Sequence, residues 1–270
     1  MPILAMTREM GSLGTYIGQE VARRLGYEFI RHEIIAEAAQ LYDAVEQNLI
    51  ATVEAKPGVW DSLSEAARRH FAFIAAQVFE FALKDNVVVV GRWSTLLLRG
   101  VDHALRVRTC APIDLRVHRT MERLSVGAEE ARARVLQSDR GIRARMRQFF
   151  ELEWADPLIY DLTLTTDRFT VESGAAMICH LLGRPEWQPT EVSRSALTDL
   201  SLAARVRAAL KATLETTRLN LTIRCRGGRI ELAGTVSSTE GRSAATRVAA
   251  AQPGVISVEN HLVVTEIPVH

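Results

Sequence analysis

The sequence predicts an α/β architecture, a three-layer unit with a parallel sheet and helices on both faces, followed by a small α+β unit of order α-β-β-α-β. Three observations predict it. Apolar strand-like runs alternate with amphipathic helical patterns from Ile3 to Leu182, the order that builds a parallel sheet through right-handed crossovers. The run "NVVVVGR", residues 86–92, is dominated by consecutive valines, as suits a strand covered on both faces. After the proline-bearing stretch "GRPEWQPTEVSRS", residues 183–195, the pattern shortens into a helix, a hairpin, a second helix and a last strand.

Ile3 to Met6 reads as a short buried strand, leading through glycines into a helix with Ile17, Val21, Ala22 and Leu25 on one face. A second helix is expected over Glu33 to Ala44. A long one is expected near Asp61 to Leu83, where Leu63, Ala67, His70, Ile74, Val78 and Phe81 recur every three or four residues. His70, on that apolar stripe and without a partner at metal-ligand spacing, reads as a packed core histidine. "ALRVRTCAP", residues 104–112, alternates Leu105, Val107 and Thr109 with arginines and reaches Pro112 at a helix start. "YDLTLTT", residues 160–166, and a helix from Val171 to Leu182 complete the first unit, with Trp154, Asp156, Tyr160 and Asp161 read as helix-strand packing. The stretch 189–196 reads as a linker, which divides the chain into units 1–188 and 197–266. In the second unit a helix spans about Asp199 to Leu214. A hairpin follows, turning at Gly227-Gly228 between Leu219, Leu221, Ile223 and Cys225 on one strand and Ile230 and Leu232 on the other. A helix from about Thr239 to Ala251 and a strand through Ile256, Val258, Leu262 and Val264 close the unit.

A chain of 270 residues can bury two cores, and 47% hydrophobic residues, 24% charged residues and a net charge of +1 exert no global pull toward nucleic acid or membrane. No nucleic-acid partner is expected. Cys110, Cys179 and Cys225 are odd in number and widely spaced, which suggests no disulfide framework or zinc knuckle and fits a reducing cytoplasm, while Cys110 on a strand and Cys179 on a helix read as inert buried thiols. The start "MPILAMTREMG" lacks a secretory pattern and no apolar run of about 18 residues occurs, so no transmembrane segment is expected and the expected location is cytoplasmic.

Glycines between a strand and a helix suit phosphate, because bare backbone amides can approach its oxygens at the positive end of the helix dipole. Against the full phosphate-loop spacing only Gly14 fits: Glu9, Thr15 and Tyr16 stand at the other defined positions, with no lysine. On spacing alone a plain tight turn remains an equal reading. Farther on, Arg132, Arg134, Arg140, Arg143, Arg145 and Arg147 crowd sixteen residues of a nearly neutral chain. That density fits a lid over a transferring phosphoryl group, whose chemistry needs positioning and charge neutralisation. The alternative is a solvated helix whose arginines pair with Glu129, Glu130 and Glu151.

The run "TREMGSLGTYIGQEVARRLGYEFIRHEII" resembles the opening of the cytidylate kinase-like family, a branch of the nucleoside monophosphate kinases with a P-loop NTPase fold. Four further matches follow in order: "VVVVGRWSTLLL", "LRVRTCAPIDLRVHRTMER", "SDRGIRARMRQFF" and "DPLIYDLTLTTDRFTVESGAAMI". The last segment resembles a BON domain through "RIELAGTVSSTEGRSAATRVAAAQPGVISVENHLVV".

The resemblance implies ATP as phosphoryl donor, with Mg²⁺ arriving on the nucleotide, CMP or dCMP as acceptor, and an unidentified ligand or protein partner for the BON domain. By the same resemblance Gly11, Ser12, Gly14, Thr15 and Gly18 match the phosphate loop, and Arg8 precedes it. Gly91 and Arg92 match an acceptor-binding pair, whose flanking aspartates are replaced here by Val90 and Trp93. Asp139 is placed with the acceptor, Arg140 and Arg143 are the expected catalytic lid arginines, and no residue is assigned to a metal. Leu13 and Thr15 stand where the family loop has a glycine and a basic residue. Two readings follow, a nucleotide kinase and a nucleotide sensor that binds without turnover and acts through the BON domain. Lipid binding by the BON domain is disfavoured, because its helices lack a basic amphipathic face with bulky aromatics.

Overall fold

The structure is a computed structural model that describes residues 1–31, 33–54, 65–91 and 93–265. Five strands, β1 (Ile3–Arg8), β2 (Glu28–Ile30), β3 (Val87–Val90), β4 (Ala104–Cys110) and β5 (Leu162–Thr165), form a parallel sheet in the order β2-β3-β1-β4-β5. The period of two along each strand sorts the side chains into two cores. Ile3, Ala5, Val87 and Val89 face one layer, while Leu4, Met6, Val88 and Val90 face the other. All eight are at most 1% exposed, and each large aliphatic side chain among them contributes about 1.5–3 kcal/mol by leaving water.

Helix α1 (Gly14–Leu25) packs on the second of these faces with α8 (Val171–Leu182), through Ile17, Val21, Ala175 and Ile178. On the first face lie α2 (Glu33–Leu41), α3 (Glu46–Glu54) and α4 (Glu65–Ala82), with Ile34, Ile35, Leu49, Phe73 and Ile74 in the core. The expected beginning of the long helix at Asp61 and its Leu63 lie outside the described residues. His70 is buried on α4 as its stripe predicts, and burial lowers its pKa. Three further helices lie after the C-terminal ends of β3 and β4: α5 (Ser94–Leu97) after β3, and α6 (Ile113–Leu124) and α7 (Ala128–Phe150) between β4 and β5. Trp154 is 1% exposed and donates from Nε1 to Thr7 Oγ1 at 3.3 Å, the packing role its position suggested.

The small unit has β6 (Thr222–Arg226), β7 (Arg229–Val236) and β8 (Ser257–Val264) in one sheet. The pair β6-β7 is an antiparallel hairpin, and α10 (Thr239–Ala250) crosses over to make β7-β8 parallel. Its first helix differs from expectation. Helix α9 (Glu191–Ala212) begins eight residues before Asp199 and takes in most of the stretch read as a linker. The cause is local: Thr190 and Ser193 form a reciprocal capping box, so the proline-bearing segment ends in a helix start. Helix α9 carries two apolar stripes. Leu197, Ala204 and Ala208 enter the core beneath the large sheet, while Leu202, Val206 and Leu210 enter that of the small sheet. Polar contacts fasten it to α4, where Ser201 Oγ donates to Glu80 Oε1 at 2.9 Å and Arg205 pairs with Glu80 at 3.4 Å. At the start of α9, Ser193 Oγ lies 2.8 Å from Nδ1 of buried His103, whose Nε2 is 3.4 Å from Asp85.

Candidate active site

β1 ends at Arg8, and the chain turns through Glu9–Leu13 before α1 begins. Gly11 has φ +82° and Leu13 has φ 60°, a left-handed conformation uncommon for a branched side chain. The turn leaves the amides of Gly11, Leu13, Gly14, Thr15 and Tyr16 without a backbone acceptor among the described residues. All five residues line one cleft. A run of open amides at a helix N-terminus is a seat for phosphate oxygens.

The remaining loop groups hold its shape. Glu9 accepts from Arg108 at 2.8 Å and from the Ala111 amide at 3.2 Å, and pairs with Arg116 at 3.3 Å, which ties the loop to β4 and α6. Ser12 is fully buried; its hydroxyl donates to the Glu9 carbonyl at 2.9 Å and lies 3.1 Å from Thr109 Oγ1. A Cβ at Gly14 would fall 2.1 Å from Thr109 Oγ1 and 2.7 Å from Arg8 Cβ, so close approach of α1 to the sheet fixes that glycine. Gly18 is buried in the same contact, where a Cβ would lie 3.1 Å from Met6 Sδ, and it does not line the cleft. Arg8 donates from Nε to Thr15 Oγ1 at 2.8 Å, joining the residue before the loop to the position where the phosphate-loop spacing has lysine.

The cleft, about 1110 Å³, is bounded by this loop, by the end of β3 and by α6 and α7. It gathers Arg8, Arg31, Arg119, Arg123, Arg134 and Arg145 against the carboxylates of Glu9 and Glu122. Helical phase selects among the α7 arginines. Arg134, Ser138, Gly141 and Arg145 share the cleft-facing stripe, with Arg134 exposed and paired to Glu130 at 2.5 Å, whereas Arg140 and Arg143 do not line the cleft. Arg132 and Arg147 pair on the surface with Asp114 at 3.2 Å and Glu153 at 2.6 Å. Arg119 Nη1 donates to Gly11 O at 3.2 Å and its Nη2 to Thr166 O at 2.7 Å, placing a guanidinium against the loop backbone. Burial lowers its pKa, with Asp167 opposing. Sequence reading missed Arg119 and Arg123, although Arg116, Arg119 and Arg123 stand at i, i+3 and i+7 in "RVHRTMER", the spacing of one helix face.

Asp139 is 5% exposed and is held by Arg116 in a bidentate pair, so it braces α7 on α6 and does not line the cleft. Burial works against the Arg116 charge, but the hydrogen bond to Asp139 and the Glu9 carboxylate outweigh it and raise its pKa. At the other end, Gly91 lines the cleft with φ +83°, and its amide donates to Met6 O at 2.8 Å. Arg92 lies outside the described residues. Trp93 lines the cleft beside it, with its ring 5.1 Å from Phe71 and 5.2 Å from Phe149, centroid to centroid, and Phe71 stacks on Phe149 at 4.8 Å. Among the described residues no group of three or more His, Cys, Asp or Glu is placed to hold a metal ion.

Residues 3–168 match the cytidylate kinase-like family. The chain belongs to that family. Its residues 198–266 match the BON domain, which accounts for the small αββαβ unit. Among curated relatives, a cytidylate kinase of Methanocaldococcus jannaschii is 27% identical over 95 residues, 34% of this chain and 53% of that one. A cytidylate kinase of Pyrococcus horikoshii is 28% identical over 99 residues, 37% of this chain and 50% of that one. The chain therefore spans about half the length of the curated relatives it matches. Of solved structures, a protein from Eubacterium ventriosum aligns with TM-score 0.55 and 19% identity over 68% of this chain and all of that one, a likeness of fold. In this chain the family's unit is a five-stranded parallel sheet flanked by helices, and a BON domain follows it. No helix among the described residues is long and apolar enough to cross a membrane.

Proposed function

We propose that this cytidylate kinase-like protein transfers the terminal phosphoryl group of ATP to a nucleoside monophosphate, CMP or dCMP, in the cytoplasm. The observation that carries the reading is the set of open amides of Gly11, Leu13, Gly14, Thr15 and Tyr16, on residues that line a cleft with arginines from several elements. The amides of Gly14, Thr15 and Tyr16 would receive donor phosphate, as a helix N-terminus does, and Arg119 would stand in for the absent lysine at the loop. Arg134 and Arg145, on the cleft side of α7, would neutralise the oxygens of the group in flight, the work first expected of Arg140 and Arg143. The acceptor would lie toward Gly91 and Trp93, where an aromatic wall replaces the family's aspartates.

Magnesium fits this cleft as an ion carried by the nucleotide. Glu9 is committed to Arg108 and Arg116, and Glu122 faces His118 at 3.2 Å, so phosphate oxygens and water would supply most of its ligands. Bound there, it would offset charge between donor phosphates; the protein groups above bind and orient.

The test incubates the full chain with magnesium-ATP and each nucleoside monophosphate, following ADP formation and binding together. ADP formed in proportion to CMP or dCMP phosphorylation supports the kinase. Binding without ADP favours the sensor reading, which draws on the absent lysine and on Leu13 in place of a loop glycine. Failure to bind nucleotide removes both.

A further inference from the structure

A second recess, about 270 Å³, opens where α4 meets the end of α9 and the start of β6. Three cations line it: Arg68 from α4, and Arg207 and Lys211 from α9. Lys211 is 7% exposed, and its Nζ donates to Thr217 O at 2.7 Å and to Asn220 Oδ1 at 3.4 Å. Arg207 Nη1 donates to Leu221 O at 3.1 Å. The side-chain bonds of both residues therefore end on neutral oxygens, and Arg68 has neither hydrogen bond nor ion pair among the described residues. Glu65 is the carboxylate acting on Lys211, and it also faces Arg218 at 3.9 Å. Burial pushes the Lys211 amine down, Glu65 resists, and Arg68 and Arg207 add to the depression, as cations lining the same recess as Lys211 do.

Like charges gathered in a half-enclosed site repel strongly unless an anion joins them. Guanidinium forks match phosphate oxygens in pairs, and an ammonium adds a point charge to the same group. We propose that this recess is a binding site for a phosphate-bearing anion, a phosphate monoester held by Arg68, Arg207 and Lys211 at the seam of the two units. It is separate from the kinase cleft, because none of the three residues lines that cleft.

Hydrogen exchange on the full chain tests the site with three probes: inorganic phosphate, glycerol phosphate and vesicles containing phosphatidic acid. The expected result is slowed exchange in residues 211–223, kept in Arg145→Ala, a change at the cleft, and lost in Arg68→Glu. Arg68→Glu leaves the Lys211 contacts to Thr217 and Asn220 in place, so folding is not at issue. Arg68→Ala should weaken binding roughly tenfold, as loss of one charge-assisted contact does. Slowing by the soluble anions assigns the phosphate to a free ligand, and slowing by vesicles alone assigns it to a lipid headgroup. No slowing with any probe, or slowing that survives both Arg68→Glu and Arg207→Gln, overturns the site and leaves the reading of the cleft untouched.

Discussion

Arg116 and Asp139 face each other in a buried bidentate pair, with Nη1 to Oδ1 at 3.0 Å and Nη2 to Oδ2 at 2.8 Å. The pair fixes α7 against α6 and so sets which arginines of α7 look into the cleft.

Removing Asp139 takes the bidentate partner from Arg116 and leaves it the Glu9 carboxylate at 3.3 Å. Asp139→Ala is expected to cost about 1–3 kcal/mol of folding stability, less than a fully stranded buried charge would, and Asp139→Asn less again. Urea unfolding measures it. A variant with unaltered stability and a raised acceptor KM would return Asp139 to the binding role first expected of it.

Gly14 offers a packing test. With Thr109 Oγ1 2.1 Å from where a Cβ would stand, Gly14→Ala should lower stability by about 1–3 kcal/mol even without nucleotide. A thermal melt of the unliganded protein decides; an unchanged midpoint would make the glycine a purely phosphate-binding residue.

Helical phase separates two arginines close in sequence. Arg145→Ala should reduce phosphoryl transfer roughly ten- to a hundredfold, while Arg143→Ala, exposed on another face, should leave it within a factor of about two. Equal losses in steady-state kcat would mean that α7 turns when substrate binds.

Acid should weaken the fold through two histidines. Burial lowers the pKa of His103, with Asp85 opposing and Arg194 assisting, and burial also lowers that of His70, with Arg69 assisting. A folded pKa below the unfolded value means that the unfolded chain takes up protons first. Their contribution is present above about pH 6.5 and is lost as pH falls toward the folded values. Unfolding midpoints between about pH 7 and 5 should decline less steeply in His103→Gln than in the parent chain. Identical slopes would remove His103 from the titration.

The parallel sheet was legible because "VVVV" and the alternation in "LRVRT" can be satisfied in few other ways. The phosphate loop was legible as a loop, but not why its glycines are there: Gly11 and Gly14 answer to Arg116 and Thr109, far along the chain. The resemblance points to Arg140 and Arg143 by their place along the lid segment, whereas the cleft-facing arginines of α7 follow from helical phase. The early start of α9 was hidden by the preceding prolines and by its two stripes, which together blur the one-sided pattern that announces a surface helix.

Those two stripes on α9 have a consequence for where the molecule can be divided. The border between the kinase-like unit and the BON domain follows a helix axis instead of crossing the chain at a loop. Whichever fragment kept α9 would carry one covered side and one bare, and the other fragment would lose part of its wall. The small domain is thus built into its neighbour as masonry is, sharing a course of bricks, and a rearrangement of its sheet would have to be accommodated along α4, one turn of which bears both Arg68 and the Phe71 that touches Trp93.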